Sequence, residues 1–426
     1  MTRIAIIGTG YVGLTTGACF AHLGHEVVCA DIDPNKVERL NRGEVSIVEH
    51  RLDELVADGL RNGNLRFVLG AANAVADCEI AFLCVPTPQG DDGSADLSYV
   101  ETAAAEIAPV LPYEAIVVNK STVPVGSTKV VERVMKRPDV RVVSNPEFLR
   151  EGSAVEDFLN PDRVVVGADD RAAAIAVGSL YDKVRAQIIV TDPASAETIK
   201  YAANAFLATK LSFINAIAAI CEGVGADVND VVVGMGYDKR IGTEFLRPGP
   251  GWGGSCFPKD SRALLKIANE AGYRFDLLAG VITVNEEQLD RVAEKISAAA
   301  GAPLEGKTVA VWGLTFKART DDLRDSPAVA IINRLLSTGA TIRAYDPTVT
   351  DMRPGVPAGI TICSSPYEAV EEADVLAVLT EWDEFRWIEA RKVATVMRAR
   401  RVVDGRNLLD RNDWQRAGFI HQGIGR

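Results

Sequence analysis

The chain has 426 residues, 47% hydrophobic and 24% charged, without a low-complexity tract; the length exceeds what a single core normally spans, and the composition excludes a long disordered or collagen-like protein. A net charge of -12 with no clustered Lys/Arg run argues against a surface that tracks nucleic acid or an anionic membrane, while leaving room for a local basic pocket that meets a small anion. Seven cysteines without a CxxC pair and four histidines without metal-ligand spacing read as reduced thiols in a cytoplasmic protein with no bound metal.

The first predicted element is the strand "RIAIIG" at residues 3–8, running through "GTGYVG" into the helical "LTTGACFAHLGH". This apolar start is short, glycine-punctuated and followed by more globular pattern, so no secretory leader is expected. Nor does any segment read as the ~20 uninterrupted apolar residues of a membrane span. Gly8, Gly10 and Gly13, with Tyr11 and Val12 between them, stand in a GxGxxG turn between strand and helix. Glycines there let the backbone approach a pyrophosphate at the positive end of a helix, whose N–H groups bind anions. The next strand, "EVVCAD", ends at Asp31, 18 residues beyond Gly13. A carboxylate at that point accepts hydrogen bonds from a ribose diol and repels a 2′-phosphate, so NAD is expected over NADP.

Short apolar runs continue with "IAFLCVPTP" (80–88), "AIVVNKSTVP" (115–124) and "VRVVSNPEF" (140–148), separated by helix-like stretches. That alternation predicts a parallel, doubly wound sheet, whose ligands gather beyond the carboxyl ends of its strands. Thr87, Thr122 and Glu147 lie just past such ends, as candidate ligand contacts or as plain turn residues. From residue 193 a long helix is predicted, apolar on nearly every side and so expected to be buried against more than one partner. Lys200 and Asn204 share one face of it, continued by Leu211 and Asn215. An inward lysine is costly unless paired or used; the alternative is a lysine snorkelling from the helix start.

In "GGSCFPKD" Cys256 stands just before a helix that starts near Pro258 and is capped by Gly272. Gly253 and Gly254 are read as allowing close approach by a ligand. The helix N-terminus favours thiolate, against the alternative of an inert buried cysteine. A thiol beside NAD suits one chemistry: addition to an aldehyde gives a thiohemiacetal, hydride loss gives a thioester, and water releases an acid. After the small-residue hinge "AGAPLEGK" the alternation restarts, with "TVAVWGLTFK", "TIRAYDP" and "ADVLAVLTEWDEF" echoing the first three strands. Only Gly313 of the glycine set survives and Lys317 occupies the loop, so this half is poorly suited to a second dinucleotide but could hold another phosphate-bearing ligand. The expected fold is α/β: two Rossmann-like doubly wound parallel-sheet domains joined by a long central helix, with regions 1–195, 196–300 and 301–426.

The ordered motifs "GTGYVG", "CVPTP", "KSTVPVG", "NPEFLREG", "KYAANAFLATKLSFINAIAAICE", "RIGTEFLRPGPGWGGSCFPKD", "TFKARTDDLRDSP" and "DGRNLLD" resemble those of the UDP-glucose/GDP-mannose dehydrogenase family, in particular its UDP-glucose-oxidising members, over essentially the whole chain. The resemblance implies oxidation of a sugar C6 alcohol to a carboxylate, UDP-glucose to UDP-glucuronate, with two NAD turnovers in one site. It implies that Cys256 is the nucleophile, that Lys200 and Asn204 stabilise an oxyanion, and that Thr122, Glu151 and Asp260 position these groups or a water. For NAD it implies Val12, Asp31, Lys36, Thr87, Thr122, Glu151, Lys259 and Arg324. For the nucleotide sugar it implies Glu147, Phe148, Leu149, Arg150 and Glu151, then Phe245, Leu246, Arg247, Pro248 and Gly249, with Gly253, Lys317 and Arg406. A homodimer built on the long helix is implied as well, with Arg240 supplied by the neighbouring subunit.

Two departures stand out: Trp252 where the family more often has Tyr or Phe, and "SIVEHRLDEL" in place of "PIYEPGLDEL". "GSCFPKD" with "FLRPGPG" favours UDP-glucose over GDP-mannose, whose enzymes tend toward "GSCLPKD", and over N-acetyl amino sugars, whose enzymes usually carry a His before the cysteine. The alternatives are a GDP-mannose or UDP-N-acetylhexosamine 6-dehydrogenase, or a nucleotide-sugar-binding protein without turnover.

Overall fold

The computed structural model describes residues 1–90 and 95–426. The chain divides into two compact units, residues 1–203 with 262–271, and residues 204–261 with 272–426. The first holds eight strands: β1 Arg3–Ile7, β2 Glu26–Asp31, β3 Leu65–Leu69, β4 Ile80–Leu83, β5 Ile116–Asn119, β6 Arg141–Ser144, β7 Arg163–Gly167 and β8 Gln187–Thr191. Their order is β3-β2-β1-β4-β5-β6-β7-β8. All neighbours run parallel except β6 and β7, which meet antiparallel at Ser144 and Gly167. The second unit holds β9 Thr308–Trp312, β10 Thr341–Tyr345, β11 Ile360–Ile362, β12 Val375–Val378, β13 Arg401–Asp404 and β14 Ile420–Gln422. These form an all-parallel sheet in the order β11-β10-β9-β12-β13-β14.

Both sheets are covered on both faces, and the strand period of two decides which residue goes where. In β1, Ile4 and Ile6 enter the apolar cluster on one face with Phe20 and Phe82, while Ala5 and Ile7 join Leu83 and Val117 on the other. In β9, Val309 and Val311 pack with Ile331 and Leu335, while Ala310 and Trp312 pack with Phe385 and Trp414. The predicted α/β class with two doubly wound sheets is therefore what folds. Strands β3, β7 and β8 of the first sheet and β11, β13 and β14 of the second were not singled out in the sequence. In β8 the side chains of Ile189 and Val190 are 39% and 52% exposed, because it lies at the sheet edge.

The long helix spans Pro193–Val224, as expected. It differs from expectation in two respects. Tyr201, Ala205, Ala208, Ser212, Asn215 and Ala218 are buried, but Phe206, Phe213 and Ile220, seven apart, are 65%, 49% and 58% exposed, so one face has no cover among the described residues. The helix is also long and apolar enough, with a mean hydropathy of 1.4, to cross a membrane by length and composition alone. The buried Lys200, Asn204, Ser212 and Asn215, each hydrogen-bonded within the protein, mark it as a core helix.

Candidate active site

In the first unit the glycine loop joins β1 to the helix Tyr11–His22. Gly8 has φ +97°, and a Cβ there would come within 2.7 Å of the Cys84 carbonyl oxygen; one at Gly13 would lie 1.9 Å from the Gly8 oxygen. These two glycines are demanded by the turn itself. Gly10 differs: it opens the helix without a side-chain cap, and among the described residues nothing lies within 4 Å of where its Cβ would be. That leaves an uncovered helix N-terminus with room for a pyrophosphate, as dinucleotide binding requires.

Asp31 closes this loop by accepting from the Thr9 N–H at 3.1 Å, the Thr9 hydroxyl, and Lys36 Nζ at 2.9 Å. Burial works to raise its pKa, but Thr9 and Lys36 outweigh it and hold the carboxyl at about 2. The Tyr11 hydroxyl bonds Glu49, and both accept the Gly152 N–H, at 2.8 and 2.7 Å. Burial, and then Glu49, push the Tyr11 phenol well above its usual range. Glu49 escaped the sequence reading, although it lies in the divergent "SIVEHRLDEL" segment and ties the glycine loop to the turn carrying Glu151.

Beyond β5, Thr87 Oγ1 donates to the Thr122 carbonyl at 2.9 Å, bringing those two candidates together. Their loop is held by another missed residue. Glu197, buried in the first turns of the long helix, accepts the Gly126 N–H at 2.6 Å and the Thr128 N–H at 3.2 Å. Burial nevertheless pushes its carboxyl up to about 7. Its signal was available: it stands three residues before Lys200 on the same helix.

Glu147 and Lys200 are paired at 2.9 Å, with side chains only 5% and 4% exposed. Glu147 also accepts the Leu149 N–H at 2.5 Å. Burial opposes its ionisation, yet the charge and hydrogen bond of Lys200, with Leu149 and Lys120, keep its pKa below the ordinary glutamate value. The snorkelling alternative for Lys200 is thereby removed. Phe148 lies under Arg163 at 3.6 Å from the ring centre, with Lys200 Nζ at 5.4 Å. Arg150 is engaged by Asp157 at 2.6 Å, and Glu151 is half-buried in the turn.

In the second unit, Asn204, one turn beyond Lys200, donates to Asp260 Oδ2 at 2.6 Å. Lys259 Nζ lies 2.7 Å from the other Asp260 oxygen, and Asp260 has no exposed surface. The Asp260 N–H bonds the Cys256 carbonyl at 2.8 Å, so Cys256 opens the helix Phe257–Glu270. Its sulfur is 3.5 Å from the Ser255 hydroxyl. Of the seven cysteines it alone is not buried. Burial pushes the Cys78 and Cys84 thiols up to about 12 and those of Cys19 and Cys29 higher still, which leaves them inert.

The loop before Cys256 is fixed from several sides. Gly249 is held by Asn215 and Gln288, at 2.9 and 2.7 Å. Trp252 exchanges backbone hydrogen bonds with the Asn285 side chain and donates its indole N–H to Ser212 at 2.8 Å. At Gly253 and Gly254, read in the sequence as room for a ligand, the missing side chain makes room for the protein itself. A Cβ at Gly253 would lie 1.8 Å from the Asp325 oxygen, and one at Gly254 2.7 Å from the Phe316 ring. Phe245 takes a left-handed φ of +60°, Leu246 and Pro248 are buried, and Arg247 is exposed. Lys317 Nζ lies 5.3 Å over the Phe316 ring, and Arg324 pairs with Asp322 at 2.7 Å.

Arg406 donates to the carbonyls of Leu379 and Phe316, at 2.8 and 3.0 Å, and pairs with Glu381, so its guanidinium is engaged inside the unit. Arg240 is 88% exposed and pairs with Asp238. Asp346, the counterpart of Asp31, is buried and accepts from the Leu314 and Thr315 N–H groups and the Trp382 indole. Protein donors thus engage the Asp346 carboxylate at the position where Asp31 stands in the first unit.

Residues 2–185 match the NAD binding domain of the UDP-glucose/GDP-mannose dehydrogenase family, residues 194–287 its central domain, and residues 310–411 its UDP binding domain. The chain belongs to that family. It is similar to a UDP-glucose 6-dehydrogenase of Rhizobium meliloti (strain 1021), with 45% identity over 100% of this chain and 99% of the relative. Among solved structures it is similar to a UDP-glucose dehydrogenase from Pyrobaculum islandicum, with 37% identity, a TM-score of 0.93, and coverage of 100% and 98%. A UDP-D-ManNAc dehydrogenase from Pyrococcus horikoshii shares 29% identity at a TM-score of 0.88, covering 100% and 99%. The protein is thus an NAD-dependent nucleotide-sugar dehydrogenase.

Proposed function

We propose that the chain oxidises the C6 alcohol of UDP-glucose twice, to UDP-glucuronate, through a covalent intermediate on Cys256. The observation that carries the reading is the setting of Cys256: the one cysteine not buried, at a helix N-terminus, followed four residues later by an Asp260 that binds both Asn204 and Lys259. NAD, when bound, supplies the acceptor for each of two hydrides. In the first oxidation C6 loses a hydride and its hydroxyl loses a proton. Lys200, oriented by Glu147, and Asn204, oriented by Asp260, donate to the oxygen as negative charge develops there. The Cys256 thiolate adds to the aldehyde carbon; the resulting thiohemiacetal loses the second hydride and becomes a thioester. Water attacks that carbonyl, the C–S bond breaks, and thiolate returns with release of acid. Per sugar the balance is two NAD and one water consumed, two NADH and three protons released.

Thr122 and Glu151 are assigned to holding the water, and Lys317 with residues 245–249 to the nucleotide sugar. Three functional regions, 1–195, 196–300 and 301–426, follow from the same reading. The uncovered stripe Phe206, Phe213 and Ile220 fits a second copy of the chain, making a homodimer in which Arg240 reaches the partner's site; cytoplasmic residence suits its reduced thiols. The NADH yield per UDP-glucose consumed tests the reaction. Two is expected; one, with aldehyde as product, refutes it. A preference in kcat/KM for GDP-mannose or a UDP-N-acetylhexosamine would move the substrate assignment within the family.

A further inference from the structure

Lys120 has no place in the reaction above, yet it sits 4% exposed at the carboxyl end of β5. Its ammonium donates to Asn145 Oδ1 at 3.0 Å and the Tyr181 hydroxyl at 3.2 Å, and lies 5.7 and 6.0 Å from the centres of the Tyr181 and Phe158 rings. Both groups it donates to are neutral. A buried ammonium in such company is costly unless its charge is used.

Asn145 shows where that charge acts. Its Oδ1 also accepts the Tyr181 hydroxyl at 2.7 Å, its Nδ2 donates to the Val165 carbonyl at 2.7 Å, and its N–H bonds the Asn119 carbonyl at 2.9 Å. The backbone of Lys120 is itself fixed to the Leu83 carbonyl at 3.1 Å. Two residues after Asn145 comes Glu147, the partner of Lys200. The ends of β4, β5 and β6 are thus locked around one cation, and the segment leaving β6 carries Glu147.

We propose that Lys120 is a positioning residue for the Glu147–Lys200 pair, its fixed positive charge holding Glu147 as the carboxylate that aims Lys200. The charged and titratable groups around it are Cys84 beyond β4, Glu147 beyond β6, Tyr181 after the helix Arg171–Ser179, and Lys200 on the long helix. Burial lowers the Lys120 pKa to about 8, with Cys84 and Glu147 opposing and Lys200 assisting. Lys120 in turn acts to lower that of Glu147, after Lys200 itself and Leu149. Loss of the Lys120 charge therefore raises the pH at which Glu147 ionises.

The inference rests on the proposed function for its catalytic consequence, but its test requires no turnover. Infrared difference spectra between about pH 2 and 7 would follow the protonated carboxyl band of Glu147, assigned by its loss in Glu147→Gln. In Lys120→Met the midpoint should rise by about half a pH unit or more, and Lys120→Arg should return it toward wild type. Lys120→Gln, polar and similar in length, serves if the methionine variant does not fold. Where UDP-glucose is turned over, the acid limb of kcat should move up by the same amount. A midpoint unchanged in the neutral variants overturns the proposal and reduces Lys120 to a structural residue. Absence of UDP-glucose turnover in the wild type would sink the substrate assignment while leaving the titration result standing.

Discussion

At the scale of single residues, the chemistry depends on charges whose partners leave them little freedom. Lys200 is buried and bound to Glu147, and in the proposed reaction its ammonium would be oriented before substrate arrives, without the reorganisation water would need. Replacing it with alanine should lower kcat by ~10²-fold or more, a barrier increase of about 3 kcal/mol, with NAD affinity retained. Steady-state kinetics alongside NAD titration would show this, and an unchanged kcat would remove Lys200 from the reaction. Much of this was legible in the sequence. The spacing of Lys200 and Asn204 placed both on one helix face, and burial of both followed from the apolar residues around them. Their partners were harder to read, since Glu147 lies 53 positions and Asp260 56 positions away along the chain. Glu49 and Glu197 were missed for the same reason: each acts on backbone N–H groups supplied by remote loops.

At the scale of elements, the helix Pro193–Val224 presents two unlike faces. One face is packed and carries Ser212 and Asn215, which pin the loop leading to Cys256 through Trp252 and Gly249. The other shows Phe206, Phe213 and Ile220 at a seven-residue repeat, the spacing of a helix seam. Apolar residues on all sides were legible as a need for several partners, but sequence periodicity does not separate a partner in the same chain from one in another. Light scattering should find the wild type at twice the chain mass, and Phe213→Asp should shift it toward the monomer, because a carboxylate would be desolvated in the seam. A wild type that is monomeric at micromolar concentration would contradict the homodimer.

At the scale of the whole molecule, one strand order is used twice, and the acid after its second strand is set differently in the two sheets. Strand β1 with its neighbours β2 and β4, and β9 with its neighbours β10 and β12, are equivalent trios, and the echo of "RIAIIGTG" in "TVAVWGLT" makes that legible in the sequence. The difference lies at the acid: Asp31 retains contact with solvent beside an uncapped Gly10, whereas Asp346 is closed over by Trp382 and the Leu314 and Thr315 N–H groups. The glycines before Cys256 show the limit of motif reading, since Gly253 is small to admit Asp325, a residue that only the folded chain brings there. Everything catalytic in this account converges on the Cys256 sulfur as the atom that retains the half-oxidised sugar. The direct measurement is acid quench during turnover with UDP-glucose and NAD, followed by peptide mass spectrometry. A UDP-sugar thioester is expected on the peptide containing Cys256, absent in Cys256→Ser. Accumulation of UDP-glucuronate with no sugar ever attached to that sulfur would contradict it.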